Sequence, residues 1–323
     1  MAKKKVLGIS FGRNMSNCDV MVKHALMEAS NYDCEVKFIR ADDLNLKMCT
    51  GCIACVIGLI SGRGKGDCVQ KDEFHILDEA ILDADAIILA SPTYETSPTG
   101  TYKIVCDRVG PSHDITFRQA AYDEGLAAGK DPSELPDSRS FKKRTAALIS
   151  VGGAMTKNWL SFTLPIMYEF TMPMGIDVID LYEYYGAMAH EHVLGNEKVM
   201  ERMRLIGQHI AESANAKSEE DRTKWRGDEE GTCPVCHLNM LSLSEDRKSV
   251  ECPVCGIAGK LTLDESGEIR VEFSEEEQKR SRLFWEGKLE HSTEIKTRAA
   301  HPGQIPDLKM RKEKYKGYAA EWI

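Results

Sequence analysis

Lys5-Val-Leu-Gly-Ile-Ser10-Phe-Gly-Arg13-Asn-Met-Ser16-Asn17-Cys18-Asp19 is the stretch on which the fold of this chain turns. Val6 to Ser10 is a short apolar run that reads as a buried strand. Ser10, Arg13, Ser16 and Asn17 then supply hydroxyls, a guanidinium and an amide before a helical pattern opens. Ser16 with Asp19 fits a capping box, and Cys18, Met21, Val22, Ala25 and Ala29 follow at helical spacing. A strand, a polar turn and a helix N-terminus form an anion site, because unpaired backbone N–H groups and the positive end of the helix dipole meet there. Ordinary βα turns share this outline, but a phosphate is the ligand this one suits. With only Gly8 and Gly12, it is neither a dinucleotide fingerprint nor a P-loop.

Outward from that stretch, the strand–helix alternation repeats. Strands are expected at Cys34–Ile39, Ala86–Ser91, Thr145–Val151 and Ile176–Tyr182. Helices are expected from Asp72 to Asp83, after Gly100 with Tyr102, Val105, Cys106 and Val109 on one face, through Trp159, Phe162, Ile166 and Phe170, and from Val199 to about Lys217. Five strands alternating with helices predict an α/β fold, a flavodoxin-like doubly wound parallel sheet. In such sheets ligands lie beyond the carboxyl ends of the strands, where three polar loops converge: residues 10–18, 91–100 and 151–156. Residues 111–144, charged and carrying Pro111, Pro132 and Pro136, break the rhythm and read as an insertion, either a flap or an oligomer arm.

The chain has 323 residues and a formal charge of −9, which argues against a nucleic-acid surface. No apolar run approaches membrane-spanning length. The basic start Lys3–Lys5 leads into a run too short for a signal peptide. Eleven cysteines, several in Cys-x-x-Cys pairs, point to metal or cluster ligation in a reducing cytoplasm rather than to disulfides.

After a charged linker, Ser218 to Glu230, the composition changes. Cys233-Pro-Val-Cys236 and Cys252-Pro-Val-Cys255 are fifteen residues apart, the spacing of a zinc ribbon, although a tetrahedral thiolate set also takes a rubredoxin-like iron. Lys260–Leu263 and Ile269–Phe273 read as a hairpin, and Ser274 with Glu277 caps a charged helix to about Ala299. The last twenty residues hold five Lys or Arg with Tyr315, Tyr318 and Trp322 and read as an arm packing on this chain or on a partner. The expected organisation is therefore 1–217 for the flavodoxin-like unit, 228–273 for the ribbon and 274–323 for a C-terminal helix and tail.

Ser10-x-x-Arg13-x-x-Ser16-Asn17 after a strand resembles the phosphate loop of the NADPH-dependent FMN reductase family, and Ser91-Pro-Thr-Tyr94 resembles its flavin-edge loop. Cys49-x-Gly51-Cys52-x-x-Cys55 and the later Cys68 resemble the cysteine segment of that family's iron–sulfur flavoproteins. The resemblance covers about residues 4–215. It implies FMN, with its phosphate held by residues 10–18 (Ser10, Arg13, Ser16, Asn17 and Cys18). The isoalloxazine would lie against Pro92, Thr93, Tyr94, Glu95, Thr96, Gly152 and Gly153. It also implies a homo-oligomer, dimer or tetramer. Two features depart from the family pattern: twelve residues separate Cys55 from Cys68, and the ribbon and tail are additions.

Cys49, Cys52 and Cys55 sit on a short loop whose spacing places three thiolates around one corner of a [4Fe–4S] cubane, with Cys68 as the candidate fourth ligand. Reduced thiols in a turn are the plain alternative. Tyr94 suits either flavin packing or a loop cap, and Arg13 either a phosphate or a surface carboxylate. Hydride transfer to a flavin needs stacked rings rather than an acid–base pair, so no catalytic residue is assigned. The chain reads as an oxidoreductase taking electrons from NAD(P)H or a reduced ferredoxin and passing them to a small acceptor: a quinone, a flavin or an aromatic compound. The rivals are a non-enzymatic electron carrier docking to a larger redox complex through the ribbon, and a redox-responsive regulator.

Overall fold

The computed structural model describes residues 2–190, 192–300 and 305–316. The elements of the larger unit are β1 (Lys4–Ser10), α1 (Asn17–Ser30), β2 (Cys34–Arg40), α2 (Ala54–Ile60), α3 (Phe74–Asp83), β3 (Ala86–Tyr94), β4 (Ser97–Pro98), α4 (Gly100–Ser112), α5 (Ile115–Ala127), β5 (Thr145–Val151), α6 (Thr163–Thr171), β6 (Asp177–Tyr184) and α7 (Glu197–Asn215). Five strands form a parallel sheet in the order β2-β1-β3-β5-β6, with β4 folding back on β3 as a hairpin. That is the flavodoxin-like order, with its switch point between β1 and β3. Alternating side chains of each strand serve opposite faces. Leu7, Ile9, Leu89 and Leu148 meet α3, α4 and α6 on one side, while Val6, Ile88 and Ile149 meet α1 and α7 on the other. Every residue of β5 is buried, as the apolar run at its centre requires.

Helix α6 starts at Thr163, later than the pattern from Trp159 suggests, because Pro165 is tolerated only in a first turn. A short 3₁₀ turn, Lys157–Leu160, precedes it. Residues 111–144 form no flap over the carboxyl edge; they brace the flank of α2 and α3. Arg118, Arg144 and the α4 residue Arg108 are the largest fully buried side chains. Arg144 donates to the carbonyls of Ile81, Leu82 and Ala84, closing the C-terminus of α3, and to those of Arg139 and Lys142. Arg118 donates to Ser112 O at 2.7 Å and Ser140 Oγ at 2.6 Å. Arg118 and Arg144, two of the charges that make this region look solvated, are spent largely on carbonyls of α3, α4 and the adjoining chain.

The second unit follows helix α8 (Glu219–Thr223) and is an antiparallel sheet of β7 (Ser242–Leu243), β8 (Val250–Cys252), β9 (Ile257–Leu263) and β10 (Ile269–Glu272) in the order β10-β9-β8-β7. Its apolar interior is continuous with the α6 face of the large sheet: Leu164, Met167 and Tyr168 share one buried cluster with Leu238, Val254, Ile257 and the four cysteines. Tyr168 Oη donates to Cys236 O at 2.6 Å inside that cluster. The charged helix expected after Ser274 is two helices, α9 (Glu275–Lys279) and α10 (Trp285–Ala300). Ser274 caps the first, accepting from Glu277 N at 3.2 Å; the break follows because Arg282 N turns to the Cys255 carbonyl at 2.9 Å. A further helix, α11 (Leu308–Glu313), precedes Tyr315, which is 66 % exposed and so does not pack on this chain. Tyr318 and Trp322 lie outside the described residues. Among those described, no helix is long and apolar enough to cross a membrane.

Candidate functional site

The loop after β1 is built around Asp19, a fully buried carboxylate in the first turn of α1. Ser10 Oγ donates to it at 2.5 Å, Met15 N at 2.9 Å and Arg40 Nη1 at 3.2 Å. Arg40 stands beside Ser10 in the β1–β2 register, and also donates to Asn14 Oδ1 at 2.5 Å. Asp19 thus reaches Met15 rather than the Ser16 amide of a capping box. Ser16 occupies the N-cap, but its hydroxyl makes no cap bond, so it and the first-turn amides of Asn17, Cys18 and Asp19 remain available to an anion. The path is narrow at Gly12, where an added Cβ would lie 2.8 Å from both Cys18 Cβ and Ser16 Oγ.

The predicted residues therefore divide. Ser10 is fully buried beneath the loop as a brace, and the Cys18 thiol points into the core, where burial pushes its pKa up. Asn17 Oδ1 accepts from Val193 N at 2.9 Å, which closes the loop after β6 against the site. Arg13 and Met15 are exposed on the rim. His192 Nε2 lies 3.2 Å from Met15 O. The partnership of residues 192–193 with this loop has no local signal in the sequence; Arg40 was readable as the residue ending the second strand.

The hairpin after β3 turns at Glu95 and Thr96, both with positive φ (46° and 68°), a two-residue turn that usually takes Gly or Asn. It is held from outside: Thr93 Oγ1 is 2.8 Å from Thr163 Oγ1, and Phe162 N donates to Thr96 O at 3.2 Å. Such strain persists only where surrounding structure fixes it, and such places cluster at ligand sites. Behind it, Gly152 N donates to Tyr184 O at 2.8 Å and Gly152 O accepts from Ala187 N at 3.0 Å, joining the loops after β5 and β6. Tyr94, Met155, Trp159 and Met188 are exposed at 54 %, 65 %, 65 % and 83 % around this edge, an apolar rim at the mouth of a polar loop.

Residues 47–72, which carry Cys49, Cys52, Cys55 and Cys68, form a loop with a closed neck. Asp72 accepts from Lys47 N at 2.8 Å and from Arg108 at 2.7 and 3.1 Å, and Arg108 donates to Lys47 O at 3.0 Å. The twelve-residue gap doubles back where Gly58 and Gly64 touch backbone to backbone, so that a Cβ on one would lie within 3.3 Å of the other's Cα. Lys130 Nζ, just beyond the end of α5, donates to Gly62 O and holds the turn. Cys68 returns by this route close enough to Cys55 to help raise its thiol, as Cys49 does from the other side of the loop sequence. The Ala54 N–H, and after it the Thr50 hydroxyl, lower the exposed Cys52 thiol, whereas burial raises that of Cys55. Arg108 Nε is buried without an acceptor among the described residues and lines, with Cys68, a cavity of about 160 Å³. The donor set, thiols with N–H groups directed at them, fits a cluster.

The ribbon's cysteines are gathered far more tightly. Sγ atoms of Cys233, Cys236, Cys252 and Cys255 all lie within 4.8 Å of one another, and all four residues are buried. They form the one such group among the described residues; the four of the loop stand further apart. Hydrogen bonds among the crowded thiols split their affinities for protons, lowering Cys233 and Cys252 and raising Cys236 and Cys255. Each knuckle closes with a residue of positive φ, His237 (57°) and Gly256 (71°), whose amide donates to the knuckle's first cysteine carbonyl at 2.8 Å. The site fits one tetrahedral metal ion.

The sequence profile of the NADPH-dependent FMN reductase family matches residues 5–172. Flavone synthase cfoJ of Aspergillus candidus is 30 % identical over 300 residues, 90 % of this chain and 88 % of that protein. A solved flavone reductase superposes with a TM-score of 0.81 at 25 % identity, covering 99 % of both chains. An iron–sulfur flavoprotein of Archaeoglobus fulgidus is 34 % identical over 99 residues, which is 31 % of this chain and 42 % of that protein.

Proposed function

The chain belongs to the NADPH-dependent FMN reductase family, and we propose that it is an FMN oxidoreductase exchanging an electron pair between NAD(P)H and the conjugated heterocycle of a flavone-type aromatic substrate. One observation carries the substrate class: the two relatives with flavone chemistry in their names match this chain almost end to end, ribbon included. The iron–sulfur flavoprotein match covers about a third of it.

On this reading the FMN phosphate rests on the Asn17, Cys18 and Asp19 amides, with the Ser16 hydroxyl and Arg13 beside it. Asp19, neutralised by Arg40, holds the loop open from below, and Ser10 ties it to β1. The isoalloxazine takes the edge formed by Pro92–Thr96 and Gly152–Gly153. FMN, when bound, supplies a centre that accepts hydride from nicotinamide and returns it to an acceptor. The chain's part is placement: the Thr93–Thr163 contact and the joined loops after β5 and β6 keep that edge rigid, and the apolar rim excludes water from stacked rings.

Cys49, Cys52, Cys55 and Cys68 are proposed to hold a [4Fe–4S] cluster, supported by the closed loop neck and the N–H···S bonds. The ribbon is proposed to hold structural zinc. Its inner side is packed on α6, which favours an integral role over the docking module of a separate electron carrier. Anaerobic titration tests the main reading. NAD(P)H should bleach the flavin spectrum, and a hydroxylated flavone should restore it; bleaching without restoration by the flavone would remove the substrate class.

A further inference from the structure

The ribbon walls a cavity of about 610 Å³ between the end of β6, the start of α6 and the first cysteine knuckle, a size that suits a drug-sized ligand. One wall is a fixed aromatic shelf. Trp225 stacks on the His237 ring at 3.7 Å between centroids and 12° between planes, and its Nε1 donates to Glu229 O at 3.0 Å. His237 is fixed in turn. Its amide belongs to the knuckle, donating to Cys233 O, and its Nδ1 lies 2.8 Å from Glu230 O. The order of this shelf therefore descends from the metal-binding turn.

Across the cavity stand Tyr185 and Lys157, whose ammonium is 6.0 Å from the Tyr185 ring centroid, together with Glu183, whose carboxyl is raised by burial. Leu164 and Met240 add apolar surface. Two of its lining residues, Lys157 and Asn158, directly follow the loop that carries Gly152 and Gly153, and Gly152 is bonded to Tyr184, the neighbour of the lining residue Tyr185. Its charged lining is Lys157, which lies 3.7 Å from Glu229, with Glu183 and with Asp228, itself paired to Arg202 at 2.6 Å. The lysine is already engaged by a carboxylate, which disfavours a phosphate-bearing dinucleotide, while the carboxylate oxygens suit phenolic hydroxyls. Flat walls with a few polar groups select a planar, hydroxylated aromatic.

We propose that this cavity receives the ring of the aromatic substrate remote from the reacting heterocycle, with Trp225 and His237 as its stacking shelf, so that the first knuckle of the ribbon determines substrate specificity. The inference rests on the flavone-type reading above and adds a location and a role for the ribbon.

The test is calorimetric titration of the flavin- and metal-loaded full chain with apigenin, a hydroxylated flavone. The variants are Trp225→Leu and His237→Gly, the second keeping a residue that accepts positive φ. FMN and zinc content of each variant are measured alongside, as a check that neither cofactor site has been disturbed. Each variant should weaken the apigenin Kd by about tenfold, the loss of one aromatic stack and its buried area, with both contents unchanged. Tyr185→Leu, on the opposite wall and outside the knuckle, should weaken it as well and covers the case in which a shelf variant misfolds. Wild-type affinity in all three variants would overturn the proposal while leaving the flavone reading intact. No apigenin binding by the wild-type protein would remove the flavone reading itself and this inference with it.

Discussion

Replacing Arg108 by Met should destabilise the protein more than any other single change at the neck of the cysteine loop. Both side chains of the Arg108–Asp72 pair are 1 % exposed, the guanidinium lies 4.4 Å from the Phe74 ring centroid, and Asp72 also accepts from the Lys47 and Phe74 amides. Methionine keeps contact with Phe74 but leaves a buried carboxylate with no cation. Breaking one side of such a pair costs about 3–5 kcal/mol, on the order of 10 °C in Tm for a unit of this size. The penalty should depend on pH. The Arg108 hydrogen bond holds Asp72 at about 2, below its ordinary value of 3.8. The pair's contribution is therefore present above pH 3.8 and lost as pH falls through about 2, an effect of about 2 kcal/mol. In the variant, burial without a partner favours the protonated acid, so its deficit against wild type should shrink on acidification. Urea midpoints at pH 7 and pH 3 measure this, and Arg108→Met with Asp72→Asn should recover much of the loss. A deficit below about 1 kcal/mol, one independent of pH, or a double variant no better than the single would refute the reasoning.

Gly12→Ala puts a methyl 2.8 Å from Cys18 Cβ and Ser16 Oγ and should lower FMN affinity by tenfold or more, read from flavin retained on gel filtration; unchanged retention would contradict the phosphate-loop assignment. Cys233→Ser should release the ribbon's metal and expose residues 228–273 to protease, since metal binding and folding are coupled in such modules. Because Tyr168 and Cys236 share one buried cluster, the same variant should lower the Tm of the whole chain, and an unaltered main transition would mean independent units. Cys52→Ala should abolish iron bound in excess of the ribbon's metal while FMN stays; equal iron in wild type and variant would return the loop to plain thiols.

Much of the larger unit was readable because its central strands β1, β3 and β5 are buried on both faces. Thr145–Val151 matches β5 residue for residue, and the carboxyl-edge loops fall where the alternation puts them. The tetrad at 233–255 was readable because ligand spacing is local. What escaped was tertiary. The charges of residues 111–144 look solvated until Arg118 and Arg144 find carbonyls on other elements. The return of Cys68 depends on two glycines touching across the loop. The break between α9 and α10 comes from an amide turned toward the second knuckle. Ser10 and Cys18 have the residue types of phosphate ligands, yet the fold turns one into a brace and the other inward.

The central claim, an FMN-dependent two-electron exchange between NAD(P)H and a flavone-type ring, is tested most directly by anaerobic turnover of the FMN-loaded protein with limiting NADPH and excess apigenin, followed by mass spectrometry of the product. One molecule of flavone should be converted to its dihydro form for each NADPH consumed. NADPH oxidation with the apigenin recovered unchanged would contradict it.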